Sequence, residues 1–212
     1  MKEIIAPTEY TIQKNEISLF LAGGITNCPE WQKDIIKRLN DYQTDELVVF
    51  NPRRDNFPID DKTAAYEQIL WEFDQLNNID IFSMYFSSGL SDQPICMYEL
   101  GRYIAKMQYR FPIDWEKRII ISVEDGYKRK EDVIIQTSLA CGNKVLVNVQ
   151  LNEDVLKTYH LFVASEPFLM RQLHCPYPDC QTNTSRRFCG NIDRLSKIDN
   201  NQYPNIGYKL CH

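Results

Sequence analysis

The sequence predicts an open, doubly wound α/β domain built on a parallel sheet. Short apolar runs, each stopped by glycine, proline or asparagine, alternate along the chain with longer amphipathic stretches. That alternation implies βαβ crossovers. Within the apolar runs few positions are polar, as expected of strands buried on both faces. Apolar residues make up 43% of the 212-residue chain, which is enough for the core of one ordinary domain plus an appendage.

The elements follow in order. Residues 1–16 are polar and lack a clear period; they read as a short lead-in with an edge strand as its one candidate element. Ile17–Ala22 (ISLFLA) is the first core strand and stops at Gly23-Gly24. Asn27 or Cys28 can cap the helix that follows, with Pro29 suited to its first turn. That helix, Glu30–Leu39, places Trp31, Ile35 and Leu39 on one face, with Ile36 beside them. Leu47–Phe50 (LVVF) is the second strand, stopped by Asn51-Pro52.

From Thr63 the pattern turns helical, and Tyr66, Ile69, Leu70, Phe73 and Leu76 recur at spacings of three and four, marking an apolar face. Ile79–Phe86 is the third strand. Pro94 opens a third helix that runs to about Met107. Arg118–Val123 is the fourth strand, Glu131–Ala140 the fourth helix, closed by Gly142, and Val145–Val149 the fifth strand. Five parallel strands favour the flavodoxin-like order 2-1-3-4-5. The domain is expected to span residues 17–151, followed by an extension, 152–212, whose structure the pattern does not specify.

The net charge of −5 argues against an extended nucleic-acid footprint, which needs a basic face. It leaves room for a small phosphorylated ligand. No apolar run approaches the roughly 18 residues that span a bilayer, and the first residues lack a signal-peptide core. No membrane association and a cytoplasmic location are therefore expected, and an odd count of seven cysteines fits a reducing compartment.

Ligands of such sheets bind outside the carboxyl ends of the strands, where strand order reverses. After the first strand lie Gly23 and Gly24, which either let the backbone approach a ligand or serve packing alone. After the second lie Asn51, Arg53 and Arg54; the two arginines suit a phosphate or carboxylate, or a surface ion pair. After the third comes a loop containing Asp92 and then Tyr98-Glu99-Leu100-Gly101. Glu99 sits early in a helix among apolar neighbours, as an exposed face residue or a carboxylate held at a pocket. The helix N-terminus would favour its ionised form, which suits a nucleophile. Asp80, between two isoleucines, reads as a buried structural aspartate, whereas Asp74 is not placed by spacing.

Phe20-Leu21-Ala22-Gly23-Gly24-Ile25, the Asn51-Pro52-Arg53 turn, the Asp74 to Asp80 spacing and Tyr98-Glu99-Leu100-Gly101 occur in one order over about residues 17–149. Together they resemble the nucleoside 2-deoxyribosyltransferase superfamily, in particular its deoxyribosyltransferase-like branch. The resemblance implies a glutamate nucleophile at Glu99 and a general-acid aspartate at Asp74. It also implies contacts to sugar or phosphate from Gly23 and Gly24, and a ligand-binding role for Asp92. The implied reaction is cleavage or exchange of an N-glycosidic bond in a (deoxy)nucleoside or nucleoside 5′-monophosphate. It passes through an oxocarbenium-like state that a carboxylate stabilises and traps, and it needs no cofactor. A buried, protonated second carboxyl would protonate the leaving base. Tyr98, Tyr85, Phe86 and Trp71 are candidates to stack on that base, one of them at most. The Arg53-Arg54 pair points towards a phosphorylated ligand. Homo-oligomerisation follows by analogy, since the transferases complete their site with a neighbouring subunit.

Cys175, Cys180, Cys189 and Cys211, with His174 and His212, are candidate zinc ligands in the extension, although no C-x-x-C occurs there. The competing reading is a catalytically inactive nucleotide-binding sensor or adaptor on the same scaffold, with the extension as its interaction module.

Overall fold

A computed structural model of the chain describes residues 1–41, 46–58 and 60–149. Six strands form one sheet: β1 (Lys2–Ile5), β2 (Ile17–Gly23), β3 (Leu47–Asn51), β4 (Ile81–Phe86), β5 (Ile119–Val123) and β6 (Val147–Val149). Their order is β1-β3-β2-β4-β5-β6, and every neighbouring pair is parallel. The last five strands thus keep the flavodoxin-like order. The sheet has six strands rather than five because Lys2–Ile5 pairs with β3, from Lys2 opposite Val48 to Ile5 opposite Asn51. Only Ile4 of that strand is buried, so its polar sequence hid it.

Four helices complete the fold: α1 (Trp31–Asn40), α2 (Lys62–Asn78), α3 (Pro94–Arg110) and α4 (Lys130–Cys141). The sheet carries two cores, one per face. Phe20, Ala22, Val48, Phe50, Phe82, Met84 and Phe86 face α2, α3 and α4. Leu19, Leu21, Leu47, Val49, Ile81 and Tyr85 face Trp31, Ile35, Ile36 and Leu39 of α1. This period-two division is what a pleated strand enforces. α1 alone connects towards the β1 edge, so a right-handed crossover puts it alone on its face. The helix-free segment between β1 and β2 runs the other way, and its Tyr10 and Ile12 pack with the α2–α4 core.

Two expectations are corrected. Ile79 and Asp80 precede β4 rather than forming its start. Asp80 instead receives hydrogen bonds from the backbone N–H (3.0 Å) and hydroxyl (2.7 Å) of Ser18, clasping β2 to β4 at the end of the sheet away from the loops that carry the chemistry. The second correction concerns α2. Its stripe Tyr66, Ile69, Leu70 and Phe73 is exposed, and the helix turns Ala64, Gln68, Trp71 and Leu76 towards the sheet. Trp71 decides the orientation: it packs on Phe20 and Phe50 and donates its indole N–H to the Thr8 carbonyl. α2 starts where Asp61 accepts from the N–H groups of Thr63 and Ala64, and α4 ends at Gly142 with φ +56°, as a C′ glycine does.

Candidate active site

Strand order reverses between β2 and β4, so the crevice lies between the β2–α1 and β4–α3 loops. These loops are closely zipped. Leu90 donates its N–H to the Asn27 carbonyl at 3.0 Å. A Cβ on Gly24 would lie 2.5 Å from Cys28 Sγ and 2.6 Å from Gln93 Oε1, and a Cβ on Gly23 would lie 2.4 Å from the Tyr85 carbonyl. Gly23 also holds φ +152°, a region open mainly to glycine. Both glycines are therefore required by the packing of the crevice wall itself.

Arg53 fixes the same loop from the β3 side. Its Nε donates to Gln32 Oε1 (2.7 Å), and its Nη2 reaches the carbonyls of Pro29 (2.8 Å) and Ile25 (3.2 Å). Its own N–H is received by Asn51 Oδ1, while Asn51 Nδ2 donates to Glu3. Asn51 and Arg53 are thus committed to protein partners. Arg54 differs: its Nη1 is buried and has no protein partner. Buried polar atoms in the same condition are Gln32 Nε2, Gln68 Oε1, Ser87 Oγ and Gln93 Oε1, all on the strand-end loops or the helices that abut them. Thr137, on α4, has the same property away from the crevice. Buried polar groups are normally satisfied, so these atoms are the donors and acceptors that the strand-end loops leave for a ligand or water.

Glu99 lies in the second turn of α3, largely withdrawn from solvent. Burial, reinforced by the charge of Glu72 and opposed by Arg102, pushes its carboxyl up to about 7. This reverses the expectation of a favoured ionised form: the helix field fades beyond the first turn, whereas burial does not. Glu72 is the second carboxylate. Burial raises it too, against the hydrogen bond that Gln68 Nε2 donates to its Oε1 at 2.7 Å. The same Nε2 donates to the Pro52 carbonyl at 2.7 Å, tying the acid to the β3–α2 loop. Further along, the Arg102 guanidinium stacks 4.6 Å from the Phe73 ring centroid and Arg110 donates to the Asn77 carbonyl, so α2 and α3 run as a clamped pair. Cys96 is pushed up to about 12, first by burial and then by Glu99, Cys28 and Glu72.

The residues singled out by sequence divide accordingly. Glu99, Gly23, Gly24 and Arg54 border the crevice. Asp74 is exposed and does not share Glu99's surroundings: residues two apart on a helix point to opposite sides, so the face that brings Glu72 to Glu99 turns Asp74 away. Asp92 is exposed and paired with Lys128 at 3.3 Å. Tyr98 is 67% exposed and free to meet a ligand, whereas Tyr85, Phe86 and Trp71 are buried. Glu72 was missed; its signal was an acid two residues from Asp74 on the side of the helix shared with Gln68. Two surface hollows of about 400 and 380 Å³ flank α1, but neither is lined by Glu72 or Glu99, so donor chemistry rather than volume locates the site. Among the described residues no group of three or more His, Cys, Asp or Glu is placed to hold a metal ion. The zinc candidates Cys175, Cys180, Cys189 and Cys211 lie outside the described residues, as does the extension that holds them. No described helix is long and apolar enough to cross a membrane.

Residues 16–113 match the family described as nucleoside 2-deoxyribosyltransferase like, a stretch that runs from the start of β2 past the end of α3. No curated protein matches the chain.

Proposed function

We propose, on the premise of the nucleoside 2-deoxyribosyltransferase-like match over residues 16–113, that the chain cleaves or exchanges the N-glycosidic bond of a (deoxy)nucleoside or nucleoside 5′-monophosphate. The observation that carries the reading is the pair Glu72 and Glu99, two carboxyls on adjacent helices whose proton affinities are both raised. The charge of Glu72 adds to the burial that makes Glu99 hard to ionise.

In the state of the pair in which Glu99 is ionised and Glu72 holds a proton, Glu99 attacks the anomeric carbon while the C–N bond breaks, and Glu72 gives its proton to the departing base. Gln68 occupies Glu72 Oε1 and so leaves the other oxygen for that proton. In the second half, water or another base attacks the glycosyl ester, Glu72 accepts the proton released, and Glu99 is freed. The general-acid role thus falls to Glu72 rather than to Asp74. Arg54, with a buried donor lacking a protein partner, supports recognition of a 5′-phosphate. The exposed apolar stripe of α2 and the exposed Ile95 and Tyr98 of α3 support the expected homo-oligomer, in which a second copy of the chain would cover them.

The test is a chromatographic screen for free base over nucleosides and their 5′-monophosphates, with and without an acceptor base. Wild-type protein is expected to release base, and Glu99→Gln to lower that rate by about a thousandfold or more while still binding substrate. A wild-type protein that releases no base from any member of the panel sinks the proposal. Equal rates with and without the 5′-phosphate would remove its phosphate component.

A further inference from the structure

The loop that leads from β4 to Glu99's helix is held by residues beyond the matched stretch. Glu124, which follows β5, accepts hydrogen bonds from the Tyr85 hydroxyl and from the backbone N–H of Ser88. Burial alone would raise its carboxyl, and these donors more than reverse that, keeping it below the ordinary carboxylate range. Its own N–H donates to the Phe86 carbonyl at 2.9 Å. Gly126 lies so near that a Cβ there would come within 2.9 Å of Ser88 Cβ. Tyr127 is buried against Phe86, with ring centroids 5.2 Å apart, and its hydroxyl donates to the Asp92 carbonyl at 2.9 Å. The β5–α4 turn therefore grips the loop near its two ends, at Ser88 and at Asp92.

What the loop delivers depends on that grip. Gln93 enters α3 in a left-handed conformation, φ 49° and ψ 50°, and its side chain does not cap the helix. Instead, Gln93 Nε2 donates back to the Ser87 carbonyl at 2.7 Å, closing the loop on itself. The placement of the first turns of α3 is thus inherited from a loop whose outer partners are Glu124 and Tyr127.

We propose that Glu124 and Tyr127 are positioning residues for the glycosyl-transfer centre, holding residues 87–93 so that α3 sets Glu99 against Glu72. The inference rests on the function proposed above. A misplacement of about 1 Å at a reacting carboxylate costs on the order of a hundredfold in rate, so a modest loosening of the loop should be visible in turnover.

The test compares Glu124→Ala, Glu124→Gln and Tyr127→Phe in the full chain, with Lys130→Ala as a control in the same turn. Steady-state base release and amide hydrogen exchange over residues 87–99 are both read. Glu124→Ala and Tyr127→Phe are expected to lower kcat about tenfold or more with KM little changed, and to speed exchange in that segment. The limb of the pH–rate profile governed by Glu99 should also move downward as water reaches the carboxyl. Glu124→Gln, which keeps an acceptor for one of the two donors, should fall between wild type and Glu124→Ala. Lys130→Ala should change none of these. Unchanged kcat in Glu124→Ala and Tyr127→Phe overturns the proposal, whether or not exchange rises, because a purely structural brace would alter exchange alone. If Glu124→Ala does not fold, Tyr127→Phe, which removes one oxygen, decides. Should wild-type protein release no base, the proposed reaction fails, and the exchange arm still decides whether the turn holds residues 87–99.

Discussion

On the β2–α1 side of the crevice, Arg53 distributes its guanidinium over Gln32 and the carbonyls of Ile25 and Pro29, and so ties the loop to α1 and β3. Across the crevice, Glu72 and Glu99 sit where water is scarce, and the charge of Glu72 makes Glu99 harder still to ionise. The first arrangement gains rigidity through those hydrogen bonds. The second holds reactivity by leaving charge poorly solvated. The proposed reaction, which must both fix a sugar and attack it, needs the two side by side, and the contrast predicts that substitutions on the two sides will move stability in opposite directions.

The comparison is sharpened most by Glu72→Gln. If Glu72 is the acid, base release should fall by about 10²–10⁴-fold for ordinary nucleobases, and by much less for a leaving group that departs without a proton. Equal losses for both leaving groups would show that Glu72 only shapes the site.

Next in size is the effect of Glu99→Gln on folding. Burial, with the charge of Glu72, pushes the Glu99 carboxyl of the folded chain up to about 7 from the ordinary 4.5. The folded state therefore keeps a proton that the unfolded state loses. Its contribution is fully present below about pH 4.5 and is lost as pH rises through 7, after which the fold carries a poorly solvated charge. Glu99→Gln removes that charge and should stabilise the protein at pH 8 by up to about 3 kcal/mol, with little gain at pH 4. Urea midpoints at the two pH values measure the difference, and an equal or less stable variant at pH 8 would contradict the buried-charge account.

Arg53→Lys probes the opposite side and should destabilise by about 1–3 kcal/mol at every pH, because an ammonium cannot reproduce the fork that spans Gln32 and the loop carbonyls. A neutral outcome in the same urea measurement would mean that the loop holds itself without Arg53.

Much of this was legible in the sequence. ISLFLA, LVVF and RIIISV were read as strands because a strand buried on both faces leaves little doubt in its composition. Glu99 stands out in the sequence as an acid early in a helix among apolar neighbours, and its role as nucleophile is what the resemblance implies. The remainder depended on orientation, which composition does not encode. α2 carries two apolar patterns, Tyr66-Ile69-Leu70-Phe73 and Ala64-Trp71-Leu76, and the larger one faces outward because Trp71 fills the space between Phe20 and Phe50. Asp74 entered through the family resemblance alone, and spacing does not tell which face of α2 meets α3. β1 was obscured because three of its four residues are exposed at the sheet edge. The role of Arg53 was hidden for a different reason: its partners are backbone carbonyls, which no residue pattern reveals.

The clasp between Ser18 and Asp80 has a bearing on how such a protein can change. By pinning the central two strands at the bottom of the sheet, it denies them any sliding past one another, so the floor beneath the ligand keeps one width through mutation. New substrate preferences must then be written into the rims, in stretches such as 24–30, 52–61 and 87–93, where a change of residue alters what is grasped without shifting the ground on which it rests.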